Sequence, residues 1–91
     1  MLFLVHIDLT GADLAAFERY EMEVLPLLPA HGGVLEQRLR SLDNAHEIHL
    51  LRFETEAGRQ AYLADPHRAD QAGLWRQSGA TATTIQVEAI G

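Results

Sequence analysis

The sequence predicts an α+β fold, with one antiparallel four-stranded sheet carrying helices, and three observations carry that expectation. Turn and breaker residues at Gly11, Gly32-Gly33, Asp43-Asn44, Asp65-Pro66 and Gly79 divide 91 residues into elements of similar size, with no repeat or linker between them. Apolar residues recur at three- and four-residue spacing after Gly11, the period of a helix. Two alternating runs flank Asp43-Asn44-Ala45, the signature of a hairpin.

Taken in order, Leu2 to Asp8 is a strand-length apolar run that stops at Thr10-Gly11. Asp13 caps a helix whose stripe is Leu14, Phe17, Val24, Leu25 and Leu28, because its carboxylate can accept from the free amides of the first turn. Pro26 removes a donor and should kink or restart that helix, and Pro29 with His31-Gly32-Gly33 should close it. Val34 to Ser41 and His46 to Phe53 form the hairpin strands. Thr55 caps a second helix through Ala64, and Pro66 opens another helix reaching Gln77. Thr81 to Ile90 is a β-branched final strand. The order β-α-β-β-α-β is the split, ferredoxin-like pattern, and residues 1–91 are expected to form a single domain.

Composition removes several functions. There is no cysteine, so disulfides, thiolate metal sites and cysteine nucleophiles are excluded. Seven arginines, no lysine and 13 acids leave a net charge of −6, the wrong sign for a phosphate backbone. An RNA-recognition sheet would need aromatic residues where this one has Leu, His and Glu. No phosphate-cradling glycine loop or nucleophile elbow occurs, and no cofactor is expected. The opening MLFLVHID is too short for a membrane span and lacks the basic flank of a signal segment, so a cytoplasmic, membrane-independent protein is expected.

Strand alternation assigns two faces to the sheet. Phe3, Val5 and Ile7, Leu35 and Leu39, Ile48 and Leu50, and Ile85 and Val87 are expected under the helices. The opposite set holds Leu4, His6 and Asp8, Glu36 and Arg38, Glu47, His49 and Leu51, and Thr84, Gln86 and Glu88. Leu2, Leu4, Val34, Leu51 and Ile90 on that face argue for cover by a second subunit, hence a homodimer.

The segment Leu51-Arg52-Phe53-Glu54-Thr55-Glu56-Ala57 running into Ala61-Tyr62-Leu63-Ala64-Asp65-Pro66-His67 resembles the strand-to-helix stretch of the dimeric α/β-barrel superfamily. Phe17, Tyr20, Val24-Leu25-Pro26 and Ala30-His31-Gly32-Gly33 resemble the helix-to-strand stretch of its small uncharacterised members, neighbours of the antibiotic-biosynthesis monooxygenase-like proteins. The resemblance implies a homodimer whose sheets face each other as a barrel, with small-molecule sites between sheet and helices. Cofactor-free oxygenases, isomerases, haem enzymes and proteins with no known activity share that architecture, so it selects no reaction.

Candidate site residues follow from charge in unexpected places. On a helical wheel Glu21 falls among Phe17, Val24, Leu25 and Leu28, where burial would raise its pKa as a general base requires. Arg52, assigned to the helix side, would polarise an oxyanion in an enzyme, or would pair with Glu21 in a purely structural role. Gln37, Tyr20, Tyr62 and Trp75 are the polar-tipped residues that would line the same cleft and bind substrate. His6 and His49, assigned together to the opposite face, would approach each other as interface groups, a proton relay or metal ligands with Glu36 or Glu47. No tight metal-ligand spacing supports the last option, and no metal is expected. His31 should serve a helix terminus, and His67 should be a surface residue. The leading expectation is a small molecule bound in the sheet–helix cleft, with Glu21, Arg52 and His49 as catalytic groups for proton transfer, isomerisation or cofactor-free oxygenation. The competing one is a non-catalytic binding or assembly module.

Overall fold

The computed structural model describes residues 1–91 in the order β1 (Leu2–Asp8), α1 (Leu14–Val24), a 3₁₀ segment (Leu25–His31), β2 (Gly33–Arg40), β3 (His46–Phe53), α2 (Glu56–Leu63), α3 (Pro66–Asp70), α4 (Ala72–Ser78) and β4 (Thr81–Val87). The four strands form one antiparallel sheet in the order β2-β3-β1-β4, the ferredoxin-like arrangement that the element order predicts. No helix is long and apolar enough to cross a membrane.

Local chemistry sets the element boundaries. Asp13 accepts from Ala16 N at 3.1 Å and starts α1, and Thr55 accepts from Gly58 N at 2.9 Å and starts α2. Pro26 and Pro29 convert the end of the first helix to 3₁₀ winding, which Gly32 closes in the left-handed region at φ 69°. Asn44, at φ 61°, turns the β2–β3 hairpin. The helix expected from Pro66 to Gln77 is two short ones separated at Gln71, and the last strand ends at Val87 rather than Ile90.

The core lies between the helices and one sheet face. Phe3, Leu28, Leu51, Phe53 and Tyr62 form one cluster, and Ile7, Leu9, Phe17 and Ala80 another. Full burial of side chains of this size contributes ~1.5–3 kcal/mol each against conformational entropy.

The face assignment is corrected in three strands. On β3 the buried residues are Glu47, His49, Leu51 and Phe53, so Ile48, Leu50 and Arg52 lie on the outer face. Register explains this: Leu51, His49 and Glu47 stand opposite Phe3, Val5 and Ile7. Apolar residues occur on both faces of β3, so hydropathy alone does not choose the phase, and a slip of one residue inverts every side chain. On β4, Thr84 and Ala82 stand opposite Val5 and Ile7, so Ile85 and Val87 point outward. On β2 the register shifts between Leu35 and Gln37 and leaves Glu36 as the extra residue of a bulge. Leu35 therefore keeps the helix side, Leu39 joins the outer face, and Arg38 and Arg40 turn inward opposite His49 and Glu47.

Candidate functional site

A cavity of about 370 Å³ opens between sheet and helices. Its sheet wall is Val5, Ile7, His49, Leu51, Ala82 and Thr84. Its helix wall is Tyr20, Glu21, Val24, Leu25, Tyr62 and Trp75, with Leu63 and Arg68 completing the lining. Phe17 of α1 and Trp75 of α4 pack over Ile7 of β1, Leu28 and Tyr62 pack over Leu51 and Phe53 of β3, and β4 is left largely exposed.

Glu21 lies on the buried stripe of α1 at 4% exposure, as the wheel indicates. Its carboxylate accepts no hydrogen bond from the protein and lines the cavity. Burial raises its pKa to about 6, with His49 and Arg38 nearby opposing the rise.

Glu47 is its counterpart. It is 1% exposed, yet Arg38 Nε donates to its Oε2 at 3.0 Å, Arg40 Nε to its Oε1 at 2.9 Å, and His49 Nε2 to Oε2 at 2.5 Å. Burial alone would raise this carboxyl; the donors from His49, Arg38 and Arg40 outweigh it and lower the pKa to about 2. Glu18 on α1 closes the network by accepting from Arg38 at 3.2 Å and from Arg40. Two neighbouring carboxyls thus differ in protonation behaviour, a division seen where one group handles protons and the other orients. With Nε2–H engaged by Glu47, Nδ1 is the remaining nitrogen of His49.

Glu21, Glu47 and His49 present ligand atoms within 4.8 Å of one another, the spacing of a metal site. Both Glu47 oxygens already accept from guanidinium groups, so a divalent cation would have to displace two arginines. The donor set fits a proton-handling cluster better than a metal centre.

The sequence-based candidates divide. Glu21, His49, Tyr20, Tyr62 and Trp75 line one cavity. Arg52 and Gln37 do not: Gln37 is exposed opposite Leu50 on the outer face, and Arg52 there donates to Glu36 at 2.6 Å. The expected Glu21–Arg52 pair is absent, because the β3 phase sends Arg52 to the other side. His49 is separated from His6 for the same reason; His6 instead stacks on His46, with Nε2 and Nδ1 3.0 Å apart. His31 pairs with Asp65 at 2.8 Å, and exposed His67 meets Glu23 at 2.8 Å. Arg68 was not singled out from the sequence. Asp65-Pro66 marks the start of its helix, but nothing in the sequence places its side chain at the cavity.

No family model matches the sequence, and no curated protein matches it. Solved structures do. SnoaB from Streptomyces nogalater, a cofactor-independent oxygenase, superposes with a TM-score of 0.73 at 18% identity over 98% of this chain and 93% of that one. A dimeric ferredoxin-like protein of unknown function from Jannaschia sp. CCS1 gives 0.68 at 15%, covering 96% of this chain and 100% of its own. A NIPSNAP family protein of unknown function from Agrobacterium tumefaciens gives 0.66 at 17%, over 93% and 86%. The chain shares the ferredoxin-like fold of these proteins, the structural neighbourhood that its sequence resembles.

Proposed function

We propose that this chain works as a homodimer that binds a small, partly apolar organic molecule in the sheet–helix cavity and removes a proton from it. The observation that carries this reading is Glu21, a buried carboxylate with no protein hydrogen bond, facing an apolar cavity. Such a group is expensive to maintain, and a pKa of about 6 suits a base near neutral pH. His49, held by Glu47, is a second proton carrier beside it. Tyr20 and Trp75, with rings 5.1 Å apart, help to exclude water. Deprotonation at carbon leaves a carbanion or enolate, which an isomerase reprotonates elsewhere and a cofactor-free oxygenase passes to dioxygen. The fold likeness to a cofactor-independent oxygenase is compatible with the second course but does not choose it. An open cavity of this size favours ligand chemistry over a purely assembling module, which would have its polar groups closed upon one another.

The test is solvent deuterium exchange into 2-tetralone, a bicyclic ketone with acidic α-protons, followed by proton NMR. Wild-type protein should accelerate exchange over buffer, with a rate rising through about pH 6 as Glu21 ionises. Glu21→Gln should lose on the order of 10² of that acceleration. Exchange equal in wild type and Glu21→Gln would refute Glu21 as the base.

A further inference from the structure

Arg68 is a cation without a carboxylate partner in a chain with nearly twice as many acids as bases. Arg38, Arg40, Arg52 and Arg59 form ion pairs; Arg19, Arg68 and Arg76 make none, and of these three Arg68 lines the cavity. Its guanidinium lies 4.9 Å from the ring centre of Tyr62 and 6.0 Å from that of Tyr20. Two aromatic faces therefore hold the planar group at the cavity wall while its N–H donors stay uncommitted to any acid. Glu21 lines the same cavity, and between these charges the lining is chiefly apolar, with Val24, Leu25 and Leu63.

This arrangement gives the cavity a direction. A carboxylate on a ligand would meet like charge beside Glu21 and a free bidentate donor at Arg68, so only one orientation satisfies both. A neutral hydrocarbon would leave the guanidinium unused. Building on the cavity reading above, we infer that the ligand is an aromatic or alicyclic carboxylate, anchored by Arg68 through its acid group with its ring system directed toward Glu21 and His49.

Two probes of the same shape and different charge test this: 2-naphthoate and 2-naphthamide, titrated by calorimetry into wild type, Arg68→Gln and Arg68→Lys. Wild type should bind the carboxylate about tenfold more tightly than the amide, the scale of a charge-assisted hydrogen-bonded pair. Arg68→Gln should weaken naphthoate about tenfold and leave naphthamide within about twofold. Arg68→Lys should retain part of the preference, since it keeps the charge and loses the planar fork. Unchanged naphthamide binding also reports that the variant cavity is intact. Equal affinity of wild type for both probes, or a preference that survives Arg68→Gln, would overturn the anionic-ligand inference while leaving the cavity reading in place. Failure of wild type to bind either probe would overturn the cavity reading, and the inference with it.

Discussion

At the scale of single residues, Glu21 and Glu47 show how environment separates identical side chains. Glu47 is the more buried, yet its charge is answered by two arginines and a histidine. Glu21 lines the cavity without a hydrogen-bonded partner, and burial raises its pKa from the usual 4.5 to about 6 against the opposing charges of His49 and Arg38. An acid raised in the folded state binds its proton more tightly there than in the unfolded chain. Its contribution therefore favours folding below the unfolded value and is lost as pH climbs through about 6. The cost above that pH is ~2 kcal/mol, from 1.36 kcal/mol per pKa unit. Glu21→Gln should accordingly be more stable than wild type by about 2 kcal/mol at pH 8 and nearly equal to it near pH 4.5. Urea midpoints at the two pH values measure this directly. A loss of stability at pH 8 would mean that Glu21 has a charge partner after all.

At the scale of elements, the bulge at Glu36 and the close seat of α2 do the most to shape the site. Were Glu36 paired in regular alternation instead of bulged out, β2 would carry Arg38 and Arg40 to the outer face and leave buried Glu47 with His49 alone to answer it. On the opposite side of the core, Gly58 brings α2 against the 3₁₀ segment so closely that a Cβ there would lie 2.4 Å from the carbonyl oxygen of His31. Two effects compete in Gly58→Ala. Helix propensity favours alanine by ~1 kcal/mol, whereas a clash with backbone forces the two elements apart at ~1–3 kcal/mol or more. The obstacle is backbone rather than a flexible side chain, so the clash should win. Thermal denaturation should show Gly58→Ala to be the less stable protein, and a raised melting temperature would refute the close packing of these elements.

At the scale of the whole molecule, the outer sheet face bears on the proposed assembly. Leu4, Ile48 and Leu50 are only partly covered there, and Val34, Leu39 and Ile85 are 53%, 53% and 58% exposed. An apolar set spread over four adjacent strands is more than isolated surface residues and suits burial against a second copy. In the observed phases Ile48, Leu50 and Ile85 lie on this face with Arg52, while Glu47, His49 and Leu51 lie beneath the helices. Sedimentation of wild type at micromolar concentration should give about twice the 10.1 kDa chain mass. Leu50→Lys, at the centre of the face, should give the single-chain mass without loss of the far-ultraviolet circular dichroism signal. Wild-type protein sedimenting as a single chain would remove the homodimer from the proposed function.

The sequence by itself determined the elements and their order. Caps at Asp13 and Thr55, the turn at Asn44 and the prolines at 26 and 66 act within a few residues, and such local chemistry survives in any tertiary setting. It also determined that Glu21 shares a face with Phe17 and Val24, since helical period is itself local. What only the tertiary structure decided was which side of each strand faces inward. Strands with apolar residues on both faces carry no local mark of phase, and the choice rests on pairing with β1 and on one bulged residue. That choice removed Arg52 and Gln37 from the cavity, brought Arg38 and Arg40 to Glu47, and divided His49 from His6. Arg68 belongs to the same class of fact: its place beside Tyr62 and Tyr20 depends on where α3 settles against α1, a packing relation that no spacing in the sequence encodes.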